Sequence, residues 1–262
     1  MSGDEREPRA AAETGPPVLP EVFSFAEVPS CLDTAFELER AGRLHVWDSA
    51  LAASQTAGRG QLRRQWHSPP GNIYAAMRLP VSPPFDGPSA AVAVGVLAAE
   101  ALGALGWHVR IKWPNDLVLP LGGQPRKVAG ILLEERGGVL LAGIGVNVLS
   151  RPADADLRPE AALGAACLAE GGKPDAAAPE ASELWRCLVR RMVSAYTQAR
   201  IFAATWRGRA EALLLWRGET VMVVDGRATV KGRLAGLCPS GALRLETEKG
   251  LVECTGGSLR PA

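Results

Sequence analysis

The 262-residue sequence has few aromatic residues, few histidines and no long hydrophobic run. Its most apolar stretch, residues 90–105, is interrupted by Glu100 and falls short of the ~18 uninterrupted apolar residues that a membrane-spanning helix requires. The five cysteines are scattered and include no C-x-x-C pair, which fits neither a disulfide framework nor a zinc site. We therefore expect a cytoplasmic protein that does not associate with membranes.

An excess of charge of either sign is also missing. Lys and Arg number 29 against 28 Asp and Glu, a net charge of +1, which excludes the overall basic field of a general nucleic-acid binder. The P-loop pattern G-x-x-x-x-G-K-[ST] does not occur. With 47% hydrophobic residues, the chain is long enough for one or two domains with a sizeable core.

Changes in composition divide the chain into three parts. Residues 1–20, rich in Pro, Glu and Ala, predict a disordered tail. Residues 21–210 alternate helical and strand patterns and predict an α+β body, whereas residues 211–262 carry closely spaced short strands and predict a small all-β module. In the body we predict strands at 44–53, 72–79, 109–113, 117–119, 128–135 and 139–147, and helices at 34–40, 89–106 and 183–207. Gly137-Gly138 between two apolar runs predicts a β-hairpin.

Residues 58–66 read G-R-G-Q-L-R-R-Q-W and form the most informative segment. Its two glycines would let backbone N–H groups approach an anion, and its three arginines carry planar donors suited to carboxylate or phosphate. The segment therefore predicts an anion-binding loop. The same composition is equally typical of a solvated basic loop.

Three further motifs carry chemical groups. K-W-P-N-D at 112–116 places Asp116 at a strand end, where it could orient or deprotonate an amine or hold a metal, or simply belong to a turn. K-V-A-G-I-L-L-E at 127–134 begins with Lys127, which is either a compact cation for phosphoryl chemistry or a surface lysine. The alternate glycines of G-I-G-V-N at 143–147 indicate close approach of a ligand or another backbone.

The order of these motifs, with Q-T-A-G-R-G at 55–60 and W-H-S-P-P-G-N at 66–72, resembles the biotin protein ligase family. The resemblance extends from about residue 30 to the C-terminus. It implies the biotin/lipoate ligase fold, similar to class II aminoacyl-tRNA synthetases, with a mixed β-sheet flanked by helices. A C-terminal Src-homology-3-like small β-barrel would follow. No helix-turn-helix pattern precedes the body, which resembles the single-function ligases and implies no DNA partner.

The resemblance implies a two-step reaction with ATP and Mg²⁺. The biotin carboxylate attacks the α-phosphate of ATP, which gives biotinyl-5'-AMP and pyrophosphate. The adenylate then acylates one lysine of a biotin carboxyl carrier domain of acetyl-CoA carboxylase or a related carboxylase. Monomers and homodimers both occur in the family, so the sequence leaves the oligomeric state open.

The resemblance also implies roles for individual residues. The biotin site would comprise Ser30, Gln55, Gly58, Arg59, Trp66, Gly130 and Gly143. The nucleotide site would comprise Arg64, Trp66, Asn115, Lys127 and Asn147, and no residue is assigned to a metal. The catalytic residues would be Lys127, which bridges the biotin carboxylate and the α-phosphate, Asp116, which receives the carrier lysine, and Arg59 and Arg64. Fixed cations suit this reaction because its two acidic substrates repel each other.

The family loop usually reads G-R-G-R-x-G-R-x-W, so Gln61 and Arg63 depart from the pattern. This departure predicts that biotinyl-adenylate dissociates from the protein more readily than in relatives with the usual loop. Two alternatives stay open on the sequence alone. One is a lipoate or octanoate ligase of the same superfamily, and the other is a non-catalytic module that binds biotin or the adenylate.

Overall fold

The computed structural model describes residues 19–61, 64–153, 163–171, 180–198, 201–226 and 228–262. Twelve strands occur in this part of the chain: β1 Val22–Val28, β2 Ser49–Gln55, β3 Ile73–Leu79, β4 Arg110–Lys112, β5 Asp116–Leu121, β6 Gln124–Arg136, β7 Val139–Val146, β8 Thr220–Asp225, β9 Ala228–Leu237, β10 Leu243–Thr247, β11 Gly250–Cys254 and β12 Ser258–Pro261. The helices are α1 Cys31–Arg40, α2 Ala90–Gly103, α3 Ala181–Gln198 and α4 Phe202–Leu213, with a 3₁₀ turn at Leu168–Gly171. None of the described helices is long and apolar enough to cross a membrane.

A seven-stranded mixed sheet in the order β1-β2-β3-β7-β6-β5-β4 forms the body. Only β1 and β2 pair in parallel among the described strands. Side chains alternate between its faces: in β3, Tyr74 and Ala76 pack with α1, whereas Ile73 and Met77 join the core that contains α2, α3 and α4. Burial on both faces explains the continuous apolar run of this strand. The predicted α+β body is confirmed.

The β6–β7 hairpin turns at Gly137 and Gly138, with φ of 58° and 78°. Two consecutive positive φ angles are the geometry for which Gly-Gly is favoured in a two-residue hairpin loop, so the predicted hairpin is confirmed. The resulting register sets Gly130 of β6 opposite Gly145 of β7. Two positions without side chains are thereby placed side by side in the middle of the sheet.

Two predicted elements differ from the structure. The strand predicted at 44–53 begins only at Ser49, because Asp48 accepts hydrogen bonds from the backbone N–H groups of Glu21 and His45 and so stabilises a turn. The single helix predicted at 183–207 is two helices, α3 and α4. Tyr196 and Phe202 lie in one aromatic cluster, with ring centroids 5.9 Å apart. Residues six apart on one α-helix point in directions about 120° apart, so the shared cluster requires a break.

The C-terminal residues form a five-stranded antiparallel sheet in the order β11-β10-β9-β8-β12. No described pairing joins β11 to β12, so the closed barrel expected from the resemblance is not observed. The inward side chains of this five-stranded sheet, among them Val221, Leu234 and Leu259, belong to the same core as α2. The predicted boundary at residue 210 falls inside α4. Just after this helix, the backbone N–H of Leu215 donates a hydrogen bond to the carbonyl of Ile111 in β4.

Candidate active site

Asp116 lies between two lysine ammonium groups. It begins β5, paired with Lys112 of β4 on one side and with Gly130 of β6 on the other. Its Oδ1 is 2.6 Å from Lys127 Nζ, and its Oδ2 is 3.3 Å from Lys112 Nζ. The side chains of Lys112, Asp116 and Lys127 are 8%, 15% and 32% exposed. The structure thus brings together the two predicted catalytic residues Asp116 and Lys127, and it adds Lys112.

A β-bulge directs Lys127 into this cluster. The β5–β6 register shifts between Leu117 and Val118, so that Val128 of β6 has no opposite residue. Residues 127 and 130 would otherwise lie on opposite faces of a regular strand, whereas the extra residue brings them to the same face. Lys127 Nζ accordingly lies 3.3 Å from where a Cβ of Gly130 would be.

The two ammonium groups determine the charge of Asp116. Burial alone would raise the pKa of the Asp116 carboxyl, but the charges of Lys127 and Lys112 and their hydrogen bonds outweigh it and hold the pKa below its usual range. Asp116 is therefore ionised at neutral pH. An ionised carboxylate can accept hydrogen bonds from an incoming amine and attract its ammonium form.

The indole of Trp66 lies directly on the sheet beside this cluster. A Cβ on Gly145 would be 2.6 Å from Trp66 Cε2, and one on Gly130 would be 2.9 Å from Cζ3, so only glycine fits at either position. Lys127 Nζ lies 5.2 Å from the ring centroid. The indole Nε1 is buried without a hydrogen-bond partner among the described residues. Two glycines, the aromatic ring that covers them and the Lys127 ammonium therefore meet in one place.

The predicted biotin residues Gln55 and Gly58 hold Trp66 in position. Gln55 accepts a hydrogen bond from Cys31 N–H at 2.8 Å and donates from Nε2 to Ser68 Oγ at 3.0 Å. Ser68 Oγ donates to the carbonyl of Trp66, whose own N–H donates to the carbonyl of Gly58. Sequence reasoning missed Ser68, although it lies in the W-H-S-P-P-G-N motif.

Arg59, a predicted catalytic residue, forms its ion pairs with Asp33 and Glu134 and not with Asp116. Its guanidinium donates to both oxygens of Asp33, at 2.5 and 3.1 Å, and to Glu134 at 3.1 Å. The hydrogen bonds from Arg59 hold the pKa of Asp33 below its usual range, and Asp33 raises that of Arg59 in turn. Glu134 is four residues along β6 from Gly130, or ~13 Å. Arg59 thus connects the segment after β2 to Asp33 of α1 and Glu134 of β6 in this structure.

The remaining predicted residues lie around this core in different settings. Arg64 is exposed, at the closing end of a loop in which its carbonyl accepts from Gly60 N–H; Arg63 lies outside the described residues. Ser30 is buried at the start of α1, without a capping hydrogen bond from its side chain. Gly143 packs against Leu32 instead of Trp66, so Gly145 is the β7 glycine that lies under the indole.

The two predicted asparagines hold backbone segments. Asn115 Nδ2 donates to the carbonyl of Ile131 at 2.8 Å and thus fixes the turn before Asp116 to β6. Asn147 is buried, and its Nδ2 donates to the carbonyl of Ala166 at 3.0 Å. No group of three or more His, Cys, Asp or Glu side chains with the geometry of a metal site occurs in the described part of the chain.

Known protein structures share this fold. The biotin protein ligase from Aquifex aeolicus, solved with biotin and ATP, superposes with a TM-score of 0.75 and 27% identity over 92% of this chain and 99% of that one. A Helicobacter pylori biotin acetyl-coenzyme A carboxylase synthetase, at 21% identity and a TM-score of 0.61, shares the fold. The protein is therefore a member of this class of α+β folds.

Sequence comparison identifies the family. Residues 28–149 match the Biotin/lipoate A/B protein ligase family. A biotin–[acetyl-CoA-carboxylase] ligase of Paracoccus denitrificans is 35% identical over 219 residues, 76% of this chain and 84% of that protein. The Escherichia coli bifunctional ligase/repressor BirA is 41% identical over 125 residues, which span only 37% of its length. The chain belongs to the biotin/lipoate A/B protein ligase family, within its biotin protein ligases, as the motifs predict.

Proposed function

We propose that the protein is a biotin protein ligase, which activates biotin with ATP and transfers it to a lysine of a biotin carboxyl carrier domain. The observation that carries this proposal is the cluster of Lys112, Asp116 and Lys127 beside the Trp66-covered glycines. Similarity to the Paracoccus biotin–[acetyl-CoA-carboxylase] ligase over most of both chains supports the choice of acid and acceptor.

In the first step a carboxylate oxygen of biotin attacks the α-phosphorus of ATP, and the bond to the β-phosphate oxygen breaks to release pyrophosphate. Lys127 is 32% exposed and its ammonium lies over the Trp66 ring, so it can turn from Asp116 to the two anionic groups. A cation placed there lowers their repulsion before and during attack. Mg²⁺ would enter with ATP as part of that substrate.

The surface formed by Gly130, Gly145 and Trp66 suits a compact, mostly apolar acid. Because Gly130 and Gly145 carry no side chains, the indole of Trp66 lies against the sheet, and its other face would offer an apolar wall to the ligand. Gln55, Gly58 and Ser68 would keep this wall in place, while the exposed Arg64 would fold toward the nucleotide.

In the second step the carrier amine attacks the acyl carbon of the adenylate, and AMP leaves with the electron pair of the broken acyl–oxygen bond. A lysine is protonated near neutral pH, with a pKa of about 10.4, and must lose a proton before attack. Asp116 would attract the ammonium, orient it by a hydrogen bond and accept its proton for release to water.

Incubation with biotin, MgATP and a carrier domain, followed by intact-mass measurement, tests the proposal. We expect one biotinyl group on the wild-type carrier and none on a carrier whose acceptor lysine is arginine. Pyrophosphate exchange measured separately with biotin, lipoate and octanoate identifies the acid. Exchange with lipoate or octanoate but not biotin would overturn the substrate, and binding of biotin without exchange would indicate a non-catalytic module.

We further infer that residues 211–262 form the small Src-homology-3-like barrel domain of the family, which packs against the domain formed by residues 21–210. The five-stranded antiparallel order and the inward apolar side chains support this inference. Nuclear Overhauser contacts between backbone amide protons of β11 and β12 would establish that the barrel is closed. Absence of these contacts, with β11 and β12 otherwise formed, would show that the sheet is open.

A further inference from the structure

The two cations that flank Asp116 differ in their freedom to move. The side chain of Lys112 is 8% exposed, and its Nζ lies 3.3 Å from Asp116 Oδ2. Lys127 is 32% exposed and lies 5.2 Å from the centroid of the Trp66 ring, at the edge of the proposed ligand surface. One ammonium is therefore a fixed part of the sheet, whereas the other can change partners.

Lys112 places a charged ammonium group in a largely buried position. Burying an ammonium group is unfavourable unless an opposite charge accompanies it. Asp116 supplies that charge, and it is the one ionic partner of Lys112 in the described part of the chain. Two neutral side chains could fill the same volume without this desolvation, so the charge itself is what the pair contributes.

We propose that Lys112 is the permanent counterion of Asp116, which keeps this carboxylate ionised and in place after Lys127 turns to the phosphate. The proposal rests on the ligase function proposed above and assigns Lys112 as a positioning residue for the second step. The titratable groups that face Asp116 are Lys112 from β4 and Lys127 from β6, and the remaining neighbour across β6 is Gly130.

The need for a second cation follows from the order of events. While Lys127 binds the adenylate phosphate, a buried carboxylate without another cation would take up a proton, because burial favours the neutral form. A protonated Asp116 could neither attract the carrier ammonium nor accept its proton. Lys112 prevents this loss at the moment when the carrier lysine arrives.

The test is the pH dependence of transfer from preformed biotinyl-adenylate to the carrier domain, followed by intact mass in single turnovers. In Lys112→Met, we expect the acid limb of the pH profile of transfer to move up by about one unit or more. Lys112→Arg should restore the wild-type limb. Lys231→Met, which removes an exposed lysine of β9, is the matched control. A Lys112→Met profile that overlays the wild type would overturn the proposal.

A second measurement does not depend on how well Lys112→Met folds. In Lys127→Ala, the carboxyl carbon of Asp116 should give the NMR shift of an ionised group at about pH 6, because Lys112 alone suffices. A protonated Asp116 at that pH would contradict the proposal. Because this result needs no substrate, it stands apart from the carrier assay, whose failure in the wild-type protein would refute the ligase function instead.

Discussion

At the scale of single residues, two glycines decide how closely an aromatic ring approaches the sheet. Gly130 and Gly145 are opposite each other, and the indole of Trp66 occupies the space that their side chains would fill. Interiors packed this closely tolerate added methyl groups poorly. The position of the ring, and with it the proposed ligand surface, therefore depends on the absence of two β-carbons.

Gly145→Ala should displace the Trp66 ring. A new Cβ would be 2.6 Å from Cε2, and overpacking of this kind costs about 1–3 kcal/mol, so we expect the Kd for biotin to rise about tenfold or more. Isothermal titration calorimetry measures the change. Gly208→Ala, at a helical position with nothing within 4 Å, is the matched control. Equal affinity in both variants would show that the ring does not form the binding surface.

Lys127→Ala should abolish adenylate formation without unfolding the protein. Lys127 is a cation beside the proposed ligand surface, and loss of one such charge costs about a hundredfold or more in rate. Biotin-dependent pyrophosphate exchange is the readout, with Lys231→Ala as the control. Exchange at the wild-type rate would remove Lys127 from the chemistry.

The sequence predicted Asp116, Lys127 and Gly130 as site residues, and the structure brings them together because their motifs lie on paired strands. It did not predict Lys112, since a lysine before Trp113 in a short strand has the pattern of a surface residue. The partners of Arg59 were also missed. Its ion pairs join residues 26 and 75 positions away, and no local pattern encodes contacts at such separations.

At the scale of elements, the β4–β5 turn that carries Asp116 is tied to the C-terminal sheet. Trp113 Nε1 is buried and donates to the carbonyl of Gly241 at 2.9 Å. Trp113 is only three residues from Asp116, so the β9–β10 turn helps to fix the strand on which the carboxylate lies. The C-terminal strands thereby contribute to the geometry of the candidate site.

Trp113→Phe should weaken this connection. The substitution leaves the Gly241 carbonyl unpaired in a buried position, which costs about 1–3 kcal/mol. We expect that loss in the free energy of unfolding from denaturant titration. Trp206→Phe removes a similarly buried indole whose N–H makes no hydrogen bond within the described residues, and serves as the control. If both variants lost the same stability, packing and not the hydrogen bond would account for the effect.

Elements with a strong local signal were predicted well, and those shaped by tertiary contacts were not. The β6–β7 hairpin follows from two apolar runs and a Gly-Gly turn, and it occurs where expected. The break between α3 and α4 could not be predicted, because it depends on Tyr196 and Phe202 meeting in one aromatic cluster. Periodicity over residues 183–207 carries no information about that cluster.

At the scale of the whole molecule, carboxylates with depressed pKa values couple stability to pH. Asp33, Asp116 and Glu170 all titrate below their usual range in the folded chain. The unfolded state therefore binds more protons as the pH falls, and stability present above about pH 4–5 is lost below it. We expect the free energy of unfolding to decrease steadily with acidification in that range.

Denaturant titrations at a series of pH values measure this dependence. Asp116→Asn should give a shallower slope, because one of the depressed groups is removed. A wild-type profile that is flat between about pH 5 and pH 3 would contradict the expectation. An unchanged slope in Asp116→Asn would show that the Lys112 and Lys127 charges do not stabilise the ionised form.

One hydrophobic core runs through both sheets, from Ile73 and Val94 in the body to Leu234 and Leu259 near the C-terminus. A chimera that exchanged the last fifty residues for those of a distant relative would therefore replace part of the packing behind the strands of the candidate site. Such an exchange would have to keep, or redesign, the apolar side chains that the two sheets share.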